Sequence, residues 1–203
     1  MNILDLIFPK NCVECGYEGI YICKFCLNKV PKVGWHSNNT FSIWRYTGVI
    51  RKAILSLKYK YSTEIAKEIS GNVVNELRNY NFEIKNAVLI PIPLYKTKQN
   101  LRGFNQSEEI GRPLAKNMRW EFIPNLLLKR KQTKPQVELR GDERRASLKG
   151  VFEVNSVYGL QNFTNKNLII FDDVYTTGST LKEASGVLKD CEVGKIYGLT
   201  IAR

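Results

Sequence analysis

Histidine is almost missing from this chain, and acidic residues are scarce: there is one His, and 19 Asp and Glu stand against 31 Lys and Arg in 203 residues. Long apolar runs are missing as well. The longest, Ala87 to Leu94, is eight residues and holds two prolines, far short of the roughly 20 residues a spanning helix needs. The opening MNILDLIFP has no basic segment and meets a proline after a few apolar positions, so no secretory signal is read there. Neither an integral membrane protein nor a secreted disulfide scaffold is expected. No internal repeat, no G-x-x-x-x-G-K-[ST] loop and no G-x-G-x-x-G occurs, which leaves P-loop hydrolases and dinucleotide folds without support.

What is present begins with charge. A formal surplus of +12, in a chain that is 43% hydrophobic and 25% charged, describes a globular protein that attracts polyanions. Nucleic acid, phosphorylated small molecules and an anionic membrane face all qualify, and so does a merely solvated basic surface. Four of the five cysteines, Cys12, Cys15, Cys23 and Cys26, lie near the start, and Cys191 stands alone downstream. This asymmetry divides the chain into a cysteine module, residues 1–40, and a body, residues 41–203. Pro31, Gly34 and the run Ser37, Asn38, Asn39, Thr40 read as a connector, with His36 beside them as a surface residue.

The cysteines follow C-x-x-C, seven residues, C-x-x-C. Two thiolates at that spacing grip one ion from a tight knuckle, and two knuckles complete a closed, structural four-cysteine zinc site. Gly16 supplies the freedom such a knuckle needs. Two disulfides or a redox dithiol are the competing readings; the first needs an oxidising compartment, and the second needs a strand before Cys12. Cys191 is read as a small hydrophobe near a helix end.

In the body, strand-like and helix-like segments alternate. Phe41 to Tyr46 alternates like a half-buried strand. Val49 to about Tyr80 carries helical periodicity, split in two by Ser62 and Thr63 as caps. Ala87 to Ile92 and Leu168 to Phe171 read as buried strands, Gln106 to Met118 and Ser179 to Asp190 as helices, and Lys195 to Ala202 as a closing strand. Lys129 to Lys149, crowded with charge, reads as a long mobile loop. The expectation is an α/β domain with a mainly parallel sheet flanked by helices.

LIIFDDVYTTGST, Leu168 to Thr180, is the most informative stretch. An apolar strand ends in Asp172 and Asp173, placed to accept hydrogen bonds from a vicinal diol or to hold Mg²⁺. Thr176, Thr177, Gly178, Ser179 and Thr180 then offer backbone N–H groups, hydroxyls and a helix start, a cradle for phosphate. A ribose 5-phosphate satisfies both halves. An acidic turn that merely caps a helix is the plain alternative.

This stretch resembles the phosphoribosyl pyrophosphate (PRPP) loop of type I phosphoribosyltransferases. The likeness continues through PIPLYKTKQNLRGFNQSEEIG from Pro91, YTGVIRKAILSLKYK from Tyr46, LKRKQTKPQVELRGDERRASLKGVF from Leu128 and the cysteine module. In that order and combination they resemble the ComF family of competence proteins. The resemblance implies a zinc finger joined to a phosphoribosyltransferase-like domain that acts in uptake of transforming DNA. By position it implies that Asp172 and Asp173 contact the ribose with Mg²⁺ nearby, and that Thr176 to Thr180 bind the 5-phosphate. Lys96, Lys98 and Arg102 would face the pyrophosphate, and Lys129 to Arg145 would take the place of the closing flap. Two departures stand out. Thr176 occupies the position of the acid that hypoxanthine-type transferases carry, and the gap between the cysteine pairs is short.

Three functional readings follow. One is a competence protein that binds single-stranded DNA and a phosphorylated ribose such as PRPP, with Trp44, Arg45, Tyr46, Lys58, Tyr59, Lys60 and Tyr61 as stacking and phosphate contacts or, equally, as core and helix-surface residues. Another is an active phosphoribosyltransferase with a nucleobase-like acceptor; the sequence names no catalytic residue. The third is an adaptor for an uptake helicase that docks through the zinc module. The expected location is the cytoplasm, or the inner face of the inner membrane, where a basic chain contacts anionic lipid without spanning it.

Overall fold

The computed structural model describes residues 10–37, 39–59, 63–131, 150–159, 163–189 and 193–203. Ser62, Lys60, Tyr61, Cys191, Asp190 and positions 132–149 of the expected mobile loop and flap lie outside them.

Six strands form one sheet: β1 (Lys32–His36), β2 (Thr40–Trp44), β3 (Ala87–Pro91), β4 (Glu121–Phe122), β7 (Asn167–Val174) and β8 (Ile196–Ala202). Their order is β1-β2-β8-β7-β3-β4, and every pair is parallel except the β1–β2 hairpin. β5 (Leu127–Lys129) and β6 (Phe152–Val154) form a separate antiparallel ribbon. The expected α/β architecture with a mainly parallel sheet is therefore what the chain adopts.

Side chains alternate across the sheet and feed two cores, as period-2 geometry requires. Ile169, Phe171, Leu89, Phe41, Ile43, Leu199 and Ile201 face one side. There they meet helices α2 (Gly48–Tyr59), α3 (Thr63–Asn79) and α5 (Gln106–Met118). Leu168, Ile170, Val88 and Ile90 face the other, under α6 (Ser179–Lys189) and the β5–β6 ribbon. α2 and α3 are amphipathic at helical spacing, with Ile50, Ile54 and Leu57, then Ile65, Ile69, Val73 and Leu77, all buried.

Three sequence expectations need correction. The connector contains a strand, because Lys32–His36 pairs with β2 and adds the sheet edge. His36 is consequently half-buried, its Nε2 2.7 Å from Ser42 Oγ. β2 is buried at all five positions, not alternately. Its polar Ser42 is tolerated inside because its hydroxyl bonds Thr200 Oγ1 at 2.6 Å. β7 runs from Asn167 to Val174 and carries Asp172 and Asp173 at its carboxyl end, where the sequence placed them.

Candidate functional site

A 260 Å³ cavity lies at the carboxyl ends of β3 and β7, where open parallel sheets bind ligands. Asp172 and Asp173 sit adjacent in β7, so their side chains point to opposite faces. Asp173 is 5% exposed and forms an ion pair with Lys58 from the last turn of α2. Asp172 is half-buried and accepts hydrogen bonds from Ser107 Oγ at 3.1 Å and from the Asp173 N–H at 2.9 Å.

The R-G-F-N-Q-S segment explains how Ser107 reaches it. Helix α4 (Lys96–Arg102) stops at Gly103, whose φ of 77° continues no helix. Asn105 then caps α5: its side chain accepts from the Ser107 N–H at 3.1 Å and donates to the Ile92 carbonyl at 3.0 Å. The cap thereby ties the start of α5 to the strand end beside the carboxylates. Arg102 Nη1 donates to Gln106 Oε1 at 2.8 Å, which holds that guanidinium on the cavity wall.

Four cations, Lys58, Lys98, Arg102 and Lys129, line the cavity with two carboxylates, leaving a positive excess for a polyanion. Burial and the Asp173 charge push the Asp172 carboxyl up to about 7, against the Asp173 N–H, Lys58 and Ser107, which hold it down. Burial opposes the charge on Lys58, but Asp173 overcomes it and the ammonium rises above its ordinary value. Burial lowers Lys129; the Asp172 charge opposes the drop and Lys98 adds to it.

The turn after β7 is shaped by Tyr175 and Gly178. Tyr175 reaches across the sheet, its hydroxyl 2.9 Å from Ser37 Oγ and its ring edge-on to His36 at 4.7 Å. Gly178 has φ 75°, and a Cβ there would meet the Tyr175 ring, so glycine is favoured. Thr177 and Ser179 share a hydroxyl contact, and α6 begins at Ser179.

Thus Asp172, Asp173, Thr176, Gly178, Thr180, Lys98 and Arg102 line one cavity, whereas Lys96, Thr177 and Ser179 are outside its lining. Lys58, Gln106 and Ser107 are site residues that the sequence reading assigned no such role, and Lys129, expected to open the mobile flap, is instead the last residue of β5 and lines the cavity. The R-G-F-N-Q signal was visible, but nothing local ties positions 58 and 129 to it. Trp44 is 1% exposed and belongs to the core, so it is no stacking surface.

The second site is local. The Sγ atoms of Cys12, Cys15, Cys23 and Cys26 all lie within 4.8 Å of one another, with Cys15 and Cys23 3.6 Å apart. A tetrahedral zinc with sulfurs at about 2.3 Å sets them about 3.8 Å apart, so the donor set fits that ion. The first knuckle turns on Gly16, φ 79°, whose N–H donates to the Cys12 carbonyl at 2.9 Å. In the second, Cys23 caps α1 (Lys24–Asn28) and accepts from the Cys26 N–H at 3.4 Å. Burial raises the Cys12 thiol, yet backbone N–H groups of Cys15, Cys23 and Glu14 outweigh it and bring it down to about 6. Burial, the neighbouring sulfurs and the Cys12 charge push Cys26 up to about 12. A thiolate cluster of this kind calls for a cation to offset its mutual repulsion. The module is seated on the body: Ile22 and Val30 join the larger core, and Glu68 of α3 accepts from the N–H groups of Tyr21 and Ile22 at 3.1 and 2.6 Å.

No helix among the described residues is long and apolar enough to cross a membrane. No family model matches the chain. Among solved structures, a hypoxanthine phosphoribosyltransferase from Staphylococcus aureus aligns with a TM-score of 0.42 and 16% identity, over 68% of this chain and 63% of that enzyme. Among curated proteins, the DNA utilization protein YhgH of Escherichia coli O157:H7 is 28% identical over 87% of this chain and 77% of its own length. Competence protein F of Haemophilus influenzae is 32% identical over 97% of this chain and 85% of its own length. With that identity across nearly its whole length, the chain belongs to the ComF family of competence proteins.

Proposed function

We propose that this chain handles DNA during uptake in natural transformation, and that its strand-end cavity binds a phosphorylated ribose such as PRPP. The names of its relatives support the first part. One observation carries the second: two strand-end carboxylates face a glycine- and hydroxyl-containing turn inside a ring of four cations. In this reading Asp172, the more open carboxylate, accepts from the ribose hydroxyls while Lys58 pairs with Asp173 and holds it in place. The Thr176–Thr180 turn and the start of α6 take the 5-phosphate. Lys98, Arg102 and Lys129 take the pyrophosphate, with Lys96 at the far end of α4. The carboxylate pair suits Mg²⁺, which would neutralise part of the pyrophosphate charge beside Asp172. Zinc in the cysteine cluster would act as a staple for the amino-terminal segment, since all four ligands come from protein. The seating of Ile22 and Val30 in the common core supports that role over a free docking unit for a helicase.

The test is isothermal titration of zinc-loaded protein with PRPP and Mg²⁺, beside Asp172→Ala/Asp173→Ala. Binding by the wild type alone is expected. Equal binding by both, or by neither, removes the ribose-phosphate reading. Incubation of bound PRPP with a panel of bases then decides between a ligand-binding site and a working transferase.

A further inference from the structure

The amino ends of the parallel strands, opposite the cavity, carry a separate concentration of aromatic rings and cations. Trp35 of edge strand β1 is 54% exposed, an unusual position for so large an apolar surface. It stacks on Phe82 with centroids 5.2 Å apart and planes 16° apart, and it meets Phe41 edge-on at 5.3 Å. Phe82 continues to Trp120 at 6.1 Å, and Tyr80, 41% exposed, abuts Phe41 at 5.2 Å. Each ring is held by the next, so the strip is preorganised.

Beyond Phe82 the strip opens into two adjoining cavities. One, of 440 Å³, is lined by Arg78, Phe82, Glu83 and Arg119; the other, of 590 Å³, by Lys85, Arg119 and Trp120 among others. Arg119 lines both, from a left-handed C-cap position with φ 58° that non-glycine residues rarely adopt. Neither Arg119 nor Lys85 has an ion-pair partner among the described residues. Glu121 nearby is already matched by Lys166 at 2.6 Å. Three cations thus face one uncompensated acid, Glu83, alongside exposed ring surface.

We infer that this strip is a platform for single-stranded DNA, with bases stacking on Trp35 and Tyr80 and phosphates following Arg78, Arg119 and Lys85. The inference rests on the DNA-handling reading above, and it adds a location that is independent of the ribose-phosphate cavity. Open ring faces accept any unstacked base, and cations along a groove follow the backbone, a combination that favours single strands over duplex. Because cavity and strip lie at opposite ends of the sheet, both ligands fit at once.

The test is fluorescence anisotropy of the full chain with labelled oligothymidylate across a salt series. Trp35→Ala should weaken binding about tenfold or more, and Trp35→Phe should restore most of it while removing the Trp35 share of any fluorescence quenching. Arg119→Asn, which tolerates the left-handed backbone, should lower the slope of log K against log salt by about 0.7. PRPP titration and thermal melting should be unchanged in Trp35→Phe and Arg119→Asn, which guards against a folding defect in Trp35→Ala. Wild-type binding that neither Trp35→Ala nor Arg119→Asn alters overturns the platform, leaves the DNA reading standing and assigns the strip to a protein partner. Absence of single-strand binding overturns both, and equal affinity for a matched duplex overturns the stacking role.

Discussion

Four sulfurs that approach within 4.8 Å come from residues 12 to 26 alone, whereas the groups around the cavity come from α2, the α4–α5 junction, the end of β5 and the turn after β7. The first site is written in one short stretch and turns on two knuckles. The second exists only when the sheet brings β3 beside β7 and α2 folds back across their ends. A local site depends on its own ligand; a dispersed one depends on the whole fold, and its members are coupled through burial and charge.

The largest expected effect breaks the local site. Cys23→Ser/Cys26→Ser, or chelation, would remove the zinc proposed to offset the thiolates and should release Ile22 and Val30 from the core. Scanning calorimetry should show a melting point lower by roughly 10 °C. An unchanged melting point would remove the structural metal from the account.

Next is Lys58→Met, which strands a buried Asp173 carboxylate. Chemical denaturation should give a loss of roughly 3 kcal/mol. Adding Asp173→Asn should return most of that loss, because the uncompensated charge is gone. Failure of the second change to rescue would mean that Lys58 matters through its packing and not through its charge.

Gly178→Ala sharpens the contrast from the other side. The left-handed backbone disfavours a side chain and the new methyl would meet the Tyr175 ring, so the turn strains or the ring is displaced, at about 1–2 kcal/mol. PRPP affinity should fall more than tenfold while the cysteine cluster still takes up zinc; retained affinity would place the phosphate elsewhere.

A pH dependence probes the cavity through the charge on one carboxyl. Unfolded, Asp172 titrates at its ordinary 3.8; folded, at about 7. Between those values the folded state holds the extra proton, so stability falls as pH rises from about 4 to about 7 and then levels. Asp172→Asn should remove this part of the slope in melting curves taken across that range, and an unaltered slope would assign it to another group.

Much of this was legible from residues alone where the physics is local. Cysteine spacing implied one cluster, and the apolar runs of β3 and β7 and the helical period of α2 and α3 implied an α/β sheet. Asp172, Asp173 and Gly178 were legible because carboxylates at a strand end and a glycine in the following turn are adjacent in sequence. Strand β1 was hidden behind Gly34 and the turn residues after it, since its pairing with β2 overrides weak local preference. Lys58 was visible only as one cation among aromatics, and Trp44 as one ring among cations. Their opposite fates, one paired with Asp173 and the other buried in the core, depend on where α2 ends over the sheet and on the covering of β2 on both faces.

The sequence by itself determined the chemistry available: four thiols in two knuckles, a pair of carboxylates before a hydroxyl-rich turn, and a basic surplus. Only the tertiary structure decided which cations complete the cavity, that Ser107 holds Asp172, and that the Trp35 ring stays exposed. Those outcomes depend on distances between segments that burial and strand pairing bring together, and no local spacing encodes them.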